Sequence, residues 1–211
     1  MLTTIVYLHG FRSSPQSVKA TLFGKAVAAL PAAVRPRLHV PSLTHRPAVA
    51  IANVAAWVVR EVAPNPGERL TFVGSSLGGF YATHLAERFG ARAVLVNPAI
   101  RPYDDLRPYA GIQTNLYTGE SFEVTAAHFS ELAALAVPRI TRPERYFLLV
   151  QSGDEVLDWR EAVAFYGGAL QYVEGGGDHS FQRFGEQIPA ILRFAQRFDP
   201  AFDAALASAL Q

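Results

Sequence analysis

Apolar and polar positions fall into blocks along the chain. Thr3-Thr4-Ile5-Val6-Tyr7-Leu8 is a continuous β-branched and apolar run, which predicts a buried strand ending at His9-Gly10. Ser13-Ser14-Pro15-Gln16 reads as a helix start, with a capping residue, an early proline and a glutamine three after Ser13. Val18, Leu22, Ala26 and Ala29 follow at helical spacing, and Pro31 closes the helix. Arg37-Leu38-His39-Val40 predicts a short strand. A helix after Pro47 carries Ile51, Val54, Val58 and Val62 on one face, and Pro64-Asn65-Pro66-Gly67 is a turn cluster.

The same alternation continues. Strands are expected over residues 69–74, 93–96, 146–150 and 170–173, and helices over 76–89, 159–166 and 184–197. Strands that are apolar throughout, separated by helices, predict a parallel sheet buried on both faces. The expected fold is therefore three-layer α/β, with a mostly parallel sheet of about six strands. Residues 98–142 break the rhythm with prolines, aromatics and a weak helical pattern around 123–136. That stretch is too long for an ordinary connection. It is expected to form a small lid or insert within a single domain spanning 1–211.

Composition narrows the function. A length of 211 residues suits one domain. Half of the residues are hydrophobic, which excludes disorder as the main state. A net charge of +1 argues against a nucleic-acid binder driven by bulk charge. The absence of cysteine removes disulfides, thiol nucleophiles and thiolate metal sites, and is compatible with the cytoplasm, the location expected. No apolar run approaches the roughly 18 residues of a membrane span, and Met1-Leu2-Thr3-Thr4 lacks the basic start of a signal peptide. Gly175-Gly176-Gly177 lacks the lysine of a phosphate-binding loop, and no G-x-G-x-x-G follows a strand. No cofactor and no metal are expected.

The strongest chemical signal is Gly74-Ser75-Ser76-Leu77-Gly78, between an expected strand and an expected helix. A serine on so tight a turn takes strained backbone angles and needs glycine-sized neighbours two before and two after. Only Ser76 has both; Ser75 has Val73 and Leu77 there. A hydroxyl needs a base. His179, in Gly177-Asp178-His179-Ser180 between the last strand and the last helix, can reach the C-terminal edge of a parallel sheet. His39, His45, His84 and His128 read as packing or surface residues, and His9 as a support of its own loop. The carboxylate that orients the imidazole is assigned to Asp154, just past the strand ending at Val150. Asp158 is the main rival but reads better as a helix cap, and Asp104, Asp105 and Glu155 stay open. The order Ser, Asp, His is that of α/β-hydrolases. The oxyanion donors are expected at the backbone amides of Leu77 and Phe11, with Gly10 permitting close contact.

With these residues in place the chain resembles the YqiA-like esterase family of the α/β-hydrolase superfamily. The matching blocks are Tyr7-Leu8-His9-Gly10-Phe11 with Ser13-Ser14-Pro15, Gly74-Ser75-Ser76-Leu77-Gly78-Gly79, and Leu95-Val96-Asn97-Pro98-Ala99. They continue with Tyr117-Thr118-Gly119-Glu120, Gly153-Asp154-Glu155-Val156-Leu157-Asp158 and Gly177-Asp178-His179-Ser180-Phe181. The resemblance implies a compact serine hydrolase acting on acyl esters, with acyl-CoA thioesters as plausible substrates. It supports Ser76, Asp154 and His179 residue by residue, and matches residues 98–142 only in patches. Gly10, Phe11, Leu77, Tyr103, Tyr109, Tyr117 and Phe122 are expected around the substrate; Tyr103, Tyr109, Tyr117 and Phe122 read equally well as core of the insert. The competing readings are a peptidase on the same three residues and a non-catalytic binding protein on a hydrolase fold. Acyl-chain length, leaving group and oligomeric state are not legible.

Overall fold

A computed structural model describes residues 3–65 and 67–196 of the chain. The strands are β1 (Thr3–Leu8), β2 (Arg37–His39), β3 (Arg69–Ser75), β4 (Arg92–Val96), β5 (Gly111–Thr114), β6 (Ser121–Val124), β7 (Tyr146–Gln151) and β8 (Leu170–Glu174). The helices are α1 (Val18–Ala29), α2 (Pro47–Glu61), α3 (Leu77–Phe89), α4 (Pro102–Asp105), α5 (Ala126–Ala134), α6 (Trp159–Phe165) and α7 (Phe184–Ala195). Six strands form one sheet in the order β2-β1-β3-β4-β7-β8, and every pairing in it is parallel.

Successive residues of a strand point to opposite faces, and the core divides accordingly. Ile5, Tyr7, Val73, Val94, Val96, Phe147 and Leu149 face α1 and α7. Val6, Leu8, Phe72, Leu95, Leu148 and Val150 face α2, α3, α5 and α6. The chain thus forms the three layers expected, with all C-terminal strand ends on one edge. Among the described residues no helix is long and apolar enough to cross a membrane.

Two details depart from the expected pattern. Helix α1 begins at Val18, not at Ser13, and it buries Ala20, Phe23 and Val27. Val18 and Leu22, expected on the buried face, are exposed. Both sides of this helix are apolar, so spacing alone could not choose between them; the Phe23 ring decides, packing 5.7 Å from the Tyr7 ring. The second departure is in 98–142, where the antiparallel hairpin β5–β6 precedes α5. Its strands are four residues each, too short for a readable alternation.

This segment is fastened to the face that carries α2 and α3. Leu132 is fully enclosed there. Arg46 pairs with Glu131, whose second oxygen accepts from the Ala48 amide at 3.1 Å. Nδ1 of His84 meets the Leu135 carbonyl at 2.9 Å. The Thr125 amide donates to Nδ1 of His128 at 3.1 Å, closing a capping box on α5. With that nitrogen accepting, the proton sits on Nε2, which donates to Nδ1 of His45 at 3.0 Å.

Burial lowers the pKa of His128, with His45 and Arg46 adding to the effect and Glu131 opposing it. Burial likewise lowers His84, against its backbone hydrogen bond. As pH falls, the unfolded chain therefore takes up these protons first, and stability is lost from about 6.5 downward through the lower folded values. The melting temperature is expected to fall between pH 7.5 and 5.5, and to fall less steeply in His84→Gln. Equal slopes in wild type and variant would show that His84 makes no contribution.

Candidate active site

The site begins at the turn from β3 into α3. Ser76 has φ 55° and ψ −123°, a conformation that costs a residue with a Cβ on the order of 1–3 kcal/mol. Three backbone hydrogen bonds hold it there. The Ser76 amide donates to the Val96 carbonyl at 3.0 Å, and the Ser76 carbonyl accepts from Gly79 at 2.9 Å and Ala99 at 3.1 Å. The turn is also dense. A methyl group on Gly74 would overlap the Gly78 carbonyl, and one on Gly78 would overlap the Leu8 carbonyl. One on Gly79 would come within 2.6 Å of the Pro98 Cβ. Gly10 lies over the serine, its missing Cβ falling 3.3 Å from that of Ser76.

The residues assigned from spacing meet here. Nε2 of His179 lies 3.0 Å from Ser76 Oγ, and Nδ1 lies 2.9 Å from Asp154 Oδ2 and 3.0 Å from Oδ1. The Asp154 side chain is 2% exposed. Burial alone would raise its pKa. The hydrogen bond from His179, the amides of Leu157 and Val156 and the charge of His179 outweigh that and hold it below the ordinary carboxylate value. An imidazole held in this way can take a proton from the serine hydroxyl while the carboxylate stabilises the resulting charge. Asp158 caps α6 by accepting from the Arg160 amide at 3.0 Å. Glu155 bonds the His179 amide at 2.9 Å, a backbone contact that leaves the imidazole to Asp154.

Two residues that spacing did not single out hold the His179 loop. Asn97, buried at the end of β4 with φ 40°, donates from Nδ2 to the carbonyls of Asp178 at 3.0 Å and His179 at 3.2 Å. Its Oδ1 accepts from the Gln151 amide at 3.0 Å. Gln151, also buried, accepts at Oε1 from the amides of Asp178 at 3.2 Å and Gln182 at 2.8 Å. Its Nε2 donates to Glu174 at 2.7 Å and to the Gln182 carbonyl at 2.9 Å. Lys19 Nζ donates to the Ser180 carbonyl at 2.7 Å, and burial holds its pKa down to about 8. Gly177, at φ +76°, lies against the Gln151 side chain, where a Cβ would collide. Of the glycine run in this loop only Gly177 is required by close packing; Gly176 has φ +76° with open space around it, and Gly175 is likewise open. The one hint in the sequence was that Asn97 and Gln151 are polar residues ending apolar strands.

A cavity of about 400 Å³ opens along the β1 loop and reaches Gly10 and Leu77, which adjoin Ser76, without including Ser76 in its wall. Gly10, Phe11, Leu77, Tyr81, Leu43 and Phe122 contribute to its wall, with Arg12, Gln16, His45 and Asn115 among the polar members. His9 supports the loop: the Leu43 amide donates to its Nε2 at 3.3 Å, and its Nδ1 meets the Gly10 carbonyl at 3.1 Å. Leu77 is the first residue of α3, where amides have no intrahelical acceptor.

Not every expected pocket residue reaches this cavity. Tyr103 packs on the apolar cluster beneath α2 and α3, and Tyr117 is 47% exposed on the turn between β5 and β6. Neither contributes to the wall. The hairpin points Phe122 inward and carries Tyr117 out with its turn, whereas Tyr103 belongs to α4. Tyr109 stands edge-on to the Phe11 ring, 5.8 Å away, and is also outside the wall.

A model of the uncharacterised protein family UPF0227 matches residues 4–196. The chain belongs to this family. The match covers the strand, turn and loop blocks from which a YqiA-like esterase was anticipated. A provisionally named hydrolase of Agrobacterium vitis S4 is 19% identical, with 92% of this chain and 88% of that chain covered and a TM-score of 0.71. Mouse alpha/beta hydrolase domain-containing protein 10 is 16% identical, with 93% and 90% covered and a TM-score of 0.67. Est1E from Butyrivibrio proteoclasticus is 13% identical, with 96% and 88% covered and a TM-score of 0.64. At these identities the likeness establishes the α/β-hydrolase fold.

Gln151→Ala removes the acceptor of two part-buried loop amides and the donor of two further bonds to Glu174 and Gln182. Stability measured by urea unfolding is expected to fall by about 2–4 kcal/mol. A loss below about 0.5 kcal/mol, the range of an ordinary surface substitution, would show that Gln151 does not hold the loop.

Proposed function

We propose that this UPF0227 member is a serine hydrolase that cleaves carboxylic esters or acyl thioesters through Ser76, His179 and Asp154. The observation that carries the reading is the continuous hydrogen-bonded chain from Asp154 through His179 to Ser76 at the strained turn. Ser76 Oγ attacks the acyl carbonyl and His179 takes its proton at Nε2. The negative charge on the tetrahedral carbonyl oxygen is met by the amides of Leu77 and Phe11, reinforced by the N-terminus of α3. His179 then protonates the departing alcohol or thiol, leaving an acyl-serine. Water enters by the same route: His179 removes its proton as the hydroxide adds to the acyl carbon, the tetrahedral species forms again, and its collapse breaks the bond to Ser76 Oγ, which takes the proton back from His179 as the acid is released. The mechanism requires neither a metal nor an organic cofactor. Other structures of this fold are named as lipolytic enzymes, an esterase domain and a monoacylglycerol lipase, which supports an ester as substrate.

A fluorophosphonate probe is expected to label wild type and to leave Ser76→Ala unlabelled. Equal labelling of the two would place the nucleophile elsewhere. In a panel of 4-nitrophenyl esters, acyl-CoA thioesters and matched anilides, esters or thioesters are expected to turn over fastest. Faster anilide turnover would instead favour an amide hydrolase.

A further inference from the structure

Arg12 directly follows the Phe11 amide and takes φ 55°, a left-handed conformation uncommon in residues with a side chain. Such outliers concentrate where function fixes a side chain. Both ends of the residue are held by the β5–β6 hairpin. Its Nε donates to the Thr114 carbonyl at 3.0 Å, and its carbonyl accepts from the Leu116 amide at 2.9 Å. The bound Nε leaves the two terminal nitrogens of the guanidinium with no protein acceptor among the described residues. Arg12 lines the 400 Å³ cavity, and so does His45, whose own proton lies on Nε2 because Nδ1 accepts from His128. Glu120 also lines it, but from an exposed turn where water screens its charge.

The cavity has a definite side. The leaving group departs toward His179, which protonates it. Neither Ser76 nor any residue of the 153–181 loops contributes to the cavity wall, whereas Phe11 and the two residues that adjoin Ser76, Gly10 above it and Leu77 after it, do. The cavity therefore receives the acyl half of the substrate.

We infer that Arg12 reads an anionic group on the acyl chain, so that the preferred substrate is a hemiester or thioester of a dicarboxylic acid. This rests on the serine-hydrolase reading. A guanidinium presents parallel N–H groups that match a carboxylate, and the hairpin fixes their position beforehand, which lowers the ordering cost of binding.

Two matched pairs test it, each read as a ratio of kcat/KM. The first is 4-nitrophenyl hydrogen adipate against 4-nitrophenyl hexanoate, which differ at the far end of the acyl chain. The second is hexanoyl-CoA against the hexanoyl thioester of N-acetylcysteamine, which differ in anionic groups on the leaving side. Wild type is expected to prefer the adipate ester by about tenfold or more, the effect of one charge-assisted hydrogen bond. Arg12→Gln should abolish that preference while leaving the thioester ratio unchanged. A purely structural role would lower both members of a pair together, so an unchanged adipate ratio overturns the inference. A change confined to the thioester pair overturns it equally. If no ester or thioester is turned over, the hydrolase reading fails, and the role of Arg12 is decided by calorimetric titration of adipate and hexanoate. Tighter binding of adipate to wild type, lost in Arg12→Gln, sustains anion recognition; equal binding of the two acids to wild type overturns it, whether or not the variant folds.

Discussion

Backbone packed on backbone at the end of the central strands governs this structure. The Leu8 carbonyl at the end of β1 touches Gly78 in the first turn of α3, and the Gly78 carbonyl touches Gly74 at the end of β3. Glycines let β1, β3 and α3 close to this distance, and the closeness forces Ser76 through its positive-φ turn. Parallel pairing of β3 between β1 and β4 places Val96 to accept from the Ser76 amide. Hydrogen bonds and core packing offset the local strain, so the serine is held up from the sheet edge with the helix N-terminus beneath it.

A second layer of order is polar. The loop bearing His179 is anchored by the buried Phe181 ring. Its backbone is held by buried amide side chains at the two adjacent strand ends, Asn97 after β4 and Gln151 on β7. The loop bearing Asp154 is pressed directly onto it, with the Gly153 amide donating to the Gly176 carbonyl at 2.8 Å. The base and its orienting carboxylate are thus positioned by one shared set of hydrogen bonds. Buried polar groups of this kind are costly unless every member is satisfied, and here the full capacity of the Gln151 amide is used.

The segment between β4 and β7 gives the site its shape. Its hairpin binds the loop after β1 through Arg12 and Asn115, and α5 is tied to the start of α2 through His45–His128 and Arg46–Glu131. The hairpin places Phe122 6.0 Å from the Phe11 ring and stacked on the His45 ring. The result is a wall that mixes aromatic and polar groups.

Strands β1, β3, β4 and β7 were legible in the sequence because burial on both faces makes them unbroken apolar runs. The G-x-S-x-G turn was legible because the steric demand is local: two glycines at fixed spacing around one serine. His179 and Asp154 followed from their places just past strand ends, which a parallel sheet collects on one edge. The buried face of α1 was not legible, because both of its sides are apolar and only the neighbouring Tyr7 ring selects Phe23. The hairpin was hidden by strands too short to show a period. Asn97 lies in one of the matching blocks and Gln151 in none, but neither role could be read there, since it lies in bonds to residues 27 to 82 positions away. The same is true of Arg12, whose orientation depends on a carbonyl 102 residues further along. The sequence by itself determined the fold and the serine turn, because those rest on local periodicity and local sterics, and it placed His179 and a short set of carboxylates headed by Asp154 on the same sheet edge; the structure brings Asp154 to the imidazole. The hold on the His179 loop and the character of the cavity arise from contacts between distant segments, and only the tertiary structure decided them.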